Sequence, residues 1–355
     1  MRKESLQFLE DLLNTPSPSG FEARGQKLWL RYVAAFAQKT GSDAYGNAFA
    51  VLNEGGSPKV MIAGHADEIG FMVHFINEEG FLYVAAIGGP DVALARGQRV
   101  VVHTRQGPVP GVTGSLAIHM QDRQADGKPP RIHDIFIDIG AKDGKEARRL
   151  VSVGDPVTYA DQFQLLRGGR AVARGCDNRI GTFAAAEVIR VLQGSRKLKA
   201  CVLAVSNVQE ENGLYGAHMT SYSLRPDLAL IVDVGQATDI PVCSKPKHGD
   251  QRLGKGPILG IGSSNHPVIV DRLRQVARKK GVPVQMSVDP SRTGTDADAV
   301  FLSRGGIPTA TVCLPNRYMH TPVEMIHLDD LENIVTLVAE FCESLQPGET
   351  FKVEI

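Results

Sequence analysis

Apolar residues recur at helical spacing near the start of the chain, from Leu6 to Leu13. Prolines and a glycine at 16–20 end this pattern, so it predicts a short first helix. A second helical pattern covers 28–36. Residues 59–64, KVMIAG, form a wholly apolar run, which is typical of a strand buried on both faces of a sheet. The chain is therefore expected to begin with two helices and a buried strand.

The pattern changes after Gly70, where short runs of β-forming residues follow one another up to about Leu166. Turns rich in glycine and proline separate these runs, for example at 88–90 and 106–108. Within this stretch only 144–151 has helical spacing. Repeated short strands of this kind predict a small β-rich domain, either a barrel or a sandwich.

Helices and strands alternate after Gly168. The predicted helices cover 178–192, 213–220, 266–280 and 328–345, and the predicted strands cover 200–206, 228–234 and 309–314. Such alternation predicts an α/β fold with a mainly parallel central sheet and helices on both faces. The β-rich domain then interrupts a single α/β domain, with boundaries at 1–69, 70–167 and 168–355.

Composition narrows the classes of protein to which the chain can belong. Its 355 residues carry 39 basic and 39 acidic side chains, so a formal net charge of zero offers no bulk attraction for nucleic acid or an anionic membrane. No apolar run approaches the roughly 20 residues that cross a bilayer, and the first residues lack the pattern of a secretory signal. The five cysteines are scattered, which favours reduced thiols over disulfides or a thiolate zinc site. We therefore expect a cytoplasmic protein with no nucleic-acid or membrane partner.

Polar side chains stand near the carboxyl ends of the predicted strands and at one helix start, where α/β sheets place their functional groups. Those with metal-binding donor atoms are His65, Asp67, Asp177, Glu210, Glu211, Asp233 and His320. Two imidazoles and several carboxylates suit zinc, cobalt or manganese, which accept nitrogen and oxygen donors. One carboxylate can bridge two ions and another can take a proton from water, so the set predicts a two-metal hydrolytic site.

Most of these residues also have a simpler explanation. His65 and Asp67 could form a turn at the strand end with a local hydrogen bond. Asp177 precedes a predicted helix and would commonly cap it, whereas Glu210 and Glu211 would suit a solvated loop. His320 is compatible with an ordinary loop histidine. Asp233 differs, because an unpaired carboxylate at the end of an apolar strand is costly. It is the combination of these residues that favours a metal site.

Six segments of the chain carry a resemblance to a known family. They are AGHADEIGFMV, ARGCDNRIGTFAA, VQEENGLYGA, VDV, RTGTDADAV and RYMHTPVEMIHLDD. In this order they resemble the dinuclear metallo-aminopeptidases that include glutamyl aminopeptidase and the archaeal tetrahedral, or TET, aminopeptidases. The segments span almost the full chain, so the resemblance concerns the whole protein.

The resemblance implies a role for each candidate residue. The implied ligands of one ion are His65, Asp177 and Asp233, and those of the other are Asp177, Glu211 and His320. Glu210 would be the general base, and Asp67 would orient His65. The resemblance also implies that the inserted β-barrel serves in dimerisation and that dimers assemble into larger homo-oligomers, which include tetrahedral dodecamers.

The expected function is a two-metal aminopeptidase that removes N-terminal residues from short peptides, with zinc as the first choice and cobalt or manganese as alternatives. Three other functions stay open: deacylation of small N-acyl compounds by the same site, glycoside hydrolysis by Glu210 and Glu211, and a non-catalytic assembly role. Glycoside hydrolysis would need no metal and would leave both histidines without a role. No implied ligand is missing, which disfavours the non-catalytic role.

Three positions depart from the family's pattern. Gly235-Gln236 follows the fourth ligand segment where a threonine and a bulkier residue are usual, and Asp298 stands at a usual glycine. Gly88-Gly89-Pro90 stands where a Gly-Gly-Trp is usual. The first two departures predict a reshaped substrate pocket, and the third predicts an altered assembly.

Overall fold

Two amphipathic helices open the chain in the computed structural model, which describes residues 1–120 and 130–355. Helix α1 covers Lys3–Asn14 and helix α2 covers Ala23–Val33. The face of α1 that includes Leu9 and Leu13 is buried, as the helical spacing predicts. Trp29 of α2 donates a hydrogen bond from Nε1 to the carbonyl oxygen of Thr182 over 2.7 Å. This bond joins α2 to the helix that carries Thr182.

Three strands follow, which are β1 Lys39–Ser42, β2 Ala48–Leu52 and β3 Lys59–His65. Strands β1 and β2 form an antiparallel pair. Most residues of β1 are exposed, so this strand lacks the apolar alternation that would reveal it in the sequence. Strand β3 is the predicted apolar strand and is buried from Val60 to His65.

A closed barrel of six strands comes next. Its strands are β4 Gly70–Ile76, β5 Leu82–Ile87, β6 Arg99–Thr104, β7 Gly107–Thr113, β8 Phe136–Asp138 and β9 Pro156–Tyr159. Helix α3 covers Gly144–Leu150, and 3-10 turns cover Val92–Leu94, Ile118–Met120 and Ile132–Asp134. The predicted small β-barrel is confirmed, with the strand order β4–β5–β8–β7–β6–β9. The domain boundaries at 70 and 167 stay a prediction, and residues 121–129 of that stretch lie outside the described residues.

The remainder of the chain alternates between strands and helices. Strands β10 to β17 are, in order, Gln164–Leu165, Arg170–Ala173, Cys201–Asn207, Leu228–Gln236, Ile258–Ile261, Gln285–Val288, Thr309–Asn316 and Glu324–His327. Helices α4 to α9 are, in order, Cys176–Leu192, Tyr215–Leu224, Lys245–His248, Pro267–Lys280, Ala297–Val300 and Leu328–Ser344. The short strands β10, β11 and β17 form a separate three-stranded sheet.

Eight strands form the large sheet in the order β1–β2–β12–β3–β13–β16–β14–β15. Its central strands β12, β3, β13 and β16 run parallel, which confirms the predicted parallel centre. Antiparallel pairs border this centre, between β2 and β12 on one side and between β16 and β14 on the other. The carboxyl ends of the central strands therefore meet at one edge of the sheet.

Helices cover both faces of the large sheet. Val60 and Ile62 of β3 belong to the core that includes α4 and α9, whereas Met61 and Ala63 belong to a second core with residues of α5 and α8. Successive side chains of a strand point to opposite faces, so this division places one core on each side. The predicted α/β class is confirmed. Within the described residues, no helix is long and apolar enough to cross a membrane.

Candidate metal centre

Candidate ligands from separate segments meet at the carboxyl edge of the parallel strands. They are His65 at the end of β3, Asp177 in the first turn of α4, Glu210 and Glu211 after β12, Asp233 in β13, and His320 after β16. The topology of the sheet brings these segments together although they are distant in the sequence. All of the ligands that the family resemblance implies therefore lie in one cluster.

Asp177 lies between two imidazoles. Its Oδ1 is 3.2 Å from Nε2 of His65, and its Oδ2 is 3.4 Å from Nε2 of His320. Gly175 is the N-cap of α4, and no side chain caps this helix. The φ of −78° and ψ of 108° at Asp177 lie outside helical geometry. The structure therefore does not support the helix-cap explanation and places this carboxylate between the two histidines.

The other carboxylates surround the same two nitrogens. Nε2 of His65 is 3.6 Å from Oε2 of Glu210 and 4.0 Å from Oδ1 of Asp233, and Nε2 of His320 is 3.5 Å from Oε1 of Glu211. Three groups have donor atoms within 4.8 Å of one another, which are His65–Asp177–Asp233, Asp177–Glu211–His320 and His65–Glu210–Glu211. The first two groups have the composition of the two implied ligand sets and share Asp177.

Both imidazoles direct Nε2 toward the carboxylates. Nδ1 of His320 lies 2.9 Å from the carbonyl oxygen of Gly89, and Nδ1 of His65 lies 3.2 Å from that of Asp67. A carbonyl oxygen only accepts, so each Nδ1 donates and each neutral imidazole keeps Nε2 free as a metal ligand. Gly89 lies in the loop after β5 of the barrel, which is the segment that departs from the family's Gly-Gly-Trp.

Asp67 contacts both an imidazole and the loop that carries the two glutamates. Its Oδ1 lies 3.3 Å from Nδ1 of His65. Its carboxylate also accepts hydrogen bonds from the backbone N–H of Glu210 at 3.0 Å, from that of Glu211 at 3.1 Å, and from Oγ of Ser19 at 2.6 Å. The expected contact with His65 is present. Asp67 also holds the backbone of the loop that carries the two glutamates, a role that the sequence did not reveal.

The electrostatics of the cluster follow from burying several carboxylates together. Burial and the charge of Asp233 raise the pKa of Glu210 to about 10, despite the nearby imidazole of His65. Burial and the charge of Asp177 raise the pKa of Glu211 to about 8. Burial likewise raises the pKa of Asp233 well above its usual range. Carboxyl groups in this arrangement require protons or cations close by.

The two histidines supply positive charge among these carboxylates. Hydrogen bonding to Asp177 raises the pKa of His320 to about 9, although burial opposes it. Burial also opposes a charge on His65, but Glu210 and Asp177 outweigh it and raise its pKa well above the usual value. The same imidazoles lower the pKa of Asp177 despite its burial.

The donor set fits divalent metal ions. Oε1 of Glu211 is buried and has no hydrogen-bond partner within the described part of the chain, yet Glu211 belongs to two of the three-residue groups. A buried carboxylate oxygen without a partner is costly, and a cation would satisfy it. Imidazole nitrogens combined with carboxylate oxygens are a donor set that zinc, cobalt and manganese accept.

Glu324, which is buried in β17, was not predicted as part of the site. Its carboxylate accepts hydrogen bonds from the backbone N–H of Asp177 over 2.8 Å and from that of His320 over 2.9 Å. A single side chain thus fixes the backbones of two candidate ligands. The only signal in the sequence is a lone glutamate in the run TPVEMI, shortly after His320.

Glu22 was also missed. It is buried, and its Oε1 accepts hydrogen bonds from the backbone N–H of Gly20 over 2.7 Å and from that of Gln209 over 3.1 Å. Burial raises its pKa to about 7. Together with Ser19, it ties the turn between α1 and α2 to the loop that carries Glu210. In the sequence, this turn is recognisable only as the end of a helix.

Comparison with known proteins places the chain and its fold among the aminopeptidases. The chain belongs to the M42 glutamyl aminopeptidase family, whose model matches residues 46–337. The protein is therefore an aminopeptidase of that family, and the resemblance seen in its sequence is confirmed.

Individual relatives cover nearly the whole chain. Lysyl aminopeptidase of Pyrococcus furiosus is 32% identical over 96% of this chain and 97% of that protein. The TET aminopeptidase of a marine sediment Thaumarchaeota archaeon has a similar structure, with a TM-score of 0.92, 33% identity and 96% of each chain covered. The TET1 peptidase of Pyrococcus horikoshii, described as able to assemble into a tetrahedron or a large octahedral shell, has a TM-score of 0.86 and 32% identity over 96% of this chain and 100% of that chain. The names lysyl and glutamyl differ in residue preference, so membership of the family leaves the preferred N-terminal residue open.

Proposed function

We propose that this aminopeptidase removes N-terminal residues from short peptides with the help of two divalent metal ions. The observation that carries this proposal is the position of Asp177 between the imidazoles of His65 and His320. The proposed ligands of one ion are His65, Asp177 and Asp233, and those of the other are Asp177, Glu211 and His320. Zinc is the first choice for these donors, with cobalt or manganese as alternatives.

Glu210 is the proposed general base. Two ions bound here would polarise the scissile carbonyl group and acidify a water molecule. Oε2 of Glu210 lies 3.6 Å from Nε2 of His65, but Glu210 belongs to neither proposed ligand set. Cations bound beside it would offset the raised pKa of Glu210 and keep it ionised, so that its carboxylate could take a proton from the attacking water and return it to the leaving amine. Asp67 positions this base and His65 together, because it contacts the His65 ring and the backbone of Glu210.

We further propose a cytoplasmic, dimer-based homo-oligomer that extends to a tetrahedral dodecamer, with the barrel in the dimer contact. The shells formed by the TET1 relative support this assembly. A closed shell would admit short, unfolded peptides more readily than folded proteins. The family model and the lysyl and glutamyl aminopeptidase relatives favour peptide hydrolysis over glycoside hydrolysis, deacylation and a non-catalytic role, although two similar structures at 26% and 29% identity carry the name endoglucanase.

A panel of aminoacyl-p-nitroanilides and their N-acetylated counterparts, assayed with zinc or cobalt, tests the proposed function. An aminopeptidase requires a free amino group, so we expect anilide release from the free-amine series alone. Equal release from the acetylated series would contradict the proposal, as would the absence of release from every free-amine substrate.

The Glu210→Gln variant tests the role of the base. We expect kcat to fall by about 100- to 10,000-fold, since a positioned general base typically contributes that much. The metal content should stay at the wild-type level, because neither proposed ligand set includes Glu210. Glu54→Gln, at an exposed position, is the control. Full activity would remove Glu210 from the mechanism, and loss of metal would place it among the ligands instead.

A further inference from the structure

A cavity of about 350 Å³ lies beyond the ends of β13 and β16, lined by residues that are close in sequence to two candidate ligands. One lining residue, Gln236, is the last residue of β13, the strand that carries Asp233. Two others, Tyr318 and Met319, directly precede His320 in the chain. Strands β13 and β16 pair in parallel here, with Gln236 opposite Asn316. The cavity is therefore placed to receive the side chain of a residue whose amino group and carbonyl group lie at the metal centre.

Only one of the two departures that predicted a reshaped pocket lies at this cavity. Gln236 lines it, whereas Asp298 does not. Asp298 instead accepts hydrogen bonds from the backbone N–H of Thr293 and Gly294, over 3.0 and 2.9 Å. Asp298 thus stabilises the turn that directly precedes it in the chain.

The wall of the cavity carries no acidic, lysine or arginine side chain among the described residues. Of the charged residues near the wall in sequence, Lys247 is exposed and does not line the cavity, and the others form ion pairs. Arg317 binds Asp239 through two hydrogen bonds of 2.8 and 2.6 Å, and Asp250 pairs with Lys245 and Arg252. A charged substrate side chain would therefore meet no free counter-charge on this wall.

The uncharged groups of the wall suit a neutral side chain of medium size. Apolar contact comes from Ala237, Ile240, Val242 and Met319. Asn316 adds a carboxamide that is only 1% exposed, and neither its Nδ2 nor its Oδ1 has a hydrogen-bond partner within the described chain. Moving a charged group from water onto such a wall costs far more than moving a neutral group of the same shape.

We infer that this cavity binds the side chain of the substrate's N-terminal residue and selects uncharged residues of the size of methionine, leucine or glutamine over glutamate and lysine. This inference rests on the proposed function. The inferred preference for uncharged residues differs from the preferences that the names of its relatives give, which are lysyl and glutamyl.

Two pairs of substrates of nearly equal shape test the inference. Glutaminyl- and glutamyl-p-nitroanilide differ mainly in a negative charge, and methionyl- and lysyl-p-nitroanilide differ mainly in a positive charge. We expect kcat/KM to favour the neutral member of each pair by at least about tenfold. A preference for glutamate or lysine would overturn the inference and leave the proposed function intact, whereas no release from any free-amine substrate would overturn both.

Charge introduced at Val242 tests whether this cavity is the selective element. Val242 lines the cavity and is 90% exposed, so a charged side chain there should not disturb folding. Val242→Glu should raise the lysine-to-methionine ratio of kcat/KM by about three- to fivefold, and Val242→Lys should raise the glutamate-to-glutamine ratio similarly. Each ratio is measured within one variant, so it does not depend on the folded fraction.

The same two substitutions at Val191 provide the matched control. Val191 is 46% exposed near the far end of α4, about 20 Å along the helix from Asp177. We expect its variants to keep the wild-type ratios. Unchanged ratios in both Val242 variants, or equal changes in the Val191 variants, would show that this cavity does not select the side chain.

Discussion

Buried carboxylates that bind backbone N–H groups hold the candidate ligands in position. Asp67 binds the N–H groups of Glu210 and Glu211, and Glu324 binds those of Asp177 and His320. Such contacts fix the chain itself and leave the ligand side chains free to face a metal ion. Partners of metal ligands commonly affect affinity for this reason.

Glu324→Gln should weaken metal binding. A glutamine offers one acceptor oxygen where the carboxylate offers two, so one N–H group, of Asp177 or of His320, would lose its partner. We expect zinc affinity to fall by about 10- to 100-fold, measured by competition with a chelator of known affinity. Glu54→Gln should bind zinc as the wild type does. Wild-type affinity in Glu324→Gln would show that this carboxylate does not support the centre.

Glu22 should make stability depend on pH. Its folded-state pKa of about 7 lies above the usual 4.5, so the cost of ionising it in the fold is absent below pH 4.5 and complete above pH 7. The free energy of unfolding therefore falls as pH rises through this interval. Glu22→Gln keeps the acceptor oxygen, which takes both hydrogen bonds, and removes the charge.

We expect the stability of Glu22→Gln relative to the wild type to increase by about 2–3 kcal/mol between pH 5 and pH 8. Urea unfolding of chelator-treated protein at the two pH values measures this difference. The stability of the control Glu54→Gln relative to the wild type should be the same at both pH values. The same relative stability of Glu22→Gln at both pH values would contradict the assignment of a raised pKa to Glu22.

At the scale of elements, the close approach of α4 to β3 brings Asp177 to His65. A Cβ added at Gly64 would lie 2.5 Å from the carbonyl carbon of Gly181 and 2.7 Å from its Cα. Both contacted atoms belong to the backbone, so this clash could be relieved only by moving the helix or the strand. Glycine at 64 therefore permits the short separation of α4 and β3 at the candidate metal centre.

Gly64→Ala should destabilise the fold by about 1–3 kcal/mol, as overpacking does, and should also weaken zinc binding because it separates α4 from β3. Gly305→Ala is the matched control, because no heavy atom lies within 4 Å of the Cβ that it would add. Chemical unfolding and zinc titration of both variants measure the two effects. A Gly64→Ala protein with normal stability and affinity would show that this contact is not limiting.

The elements also show what the sequence could reveal. The apolar central strands and the long helices were predictable, because each has a local pattern of burial. Strand β1 was not, since its KTGS sequence is mostly exposed, and β14 and β15 are too short for a clear pattern. The order of strands in the barrel depends on pairing between distant segments, which a local pattern does not contain.

The same distinction applies to the site. Residues at strand ends were predictable because their chemical type and their place in the topology agree. Glu324 and Glu22 act through backbone groups of segments far away in the sequence, so their side chains carry no local signal. The position of Asn316 beside a cavity likewise depends on the pairing of β13 with β16.

At the scale of the whole molecule, the candidate metal centre lies where the large sheet meets the barrel. The carbonyl oxygen of Gly89 holds Nδ1 of His320, and a Cβ added at Gly88 would lie 3.1 Å from both Cβ and Oε2 of Glu211. The loop after β5 therefore closes one side of a site whose ligands come from the α/β part. Metal ions at this place would link segments from most of the chain.

Metal removal should therefore lower the stability of the whole protein. A ligand that binds only the folded state at 100 times its Kd adds about 2.7 kcal/mol for each site, so the unfolding temperature should fall by several degrees after chelation and recover with zinc, cobalt or manganese.

Asp177→Ala should bind little metal and show the same unfolding temperature with and without zinc, because Asp177 belongs to both proposed ligand sets. Asp271→Ala, at an exposed position on α7, should retain the wild-type response. An unchanged unfolding temperature of the wild type after chelation would contradict the two-metal proposal. Full metal content in Asp177→Ala would contradict the bridging role of Asp177.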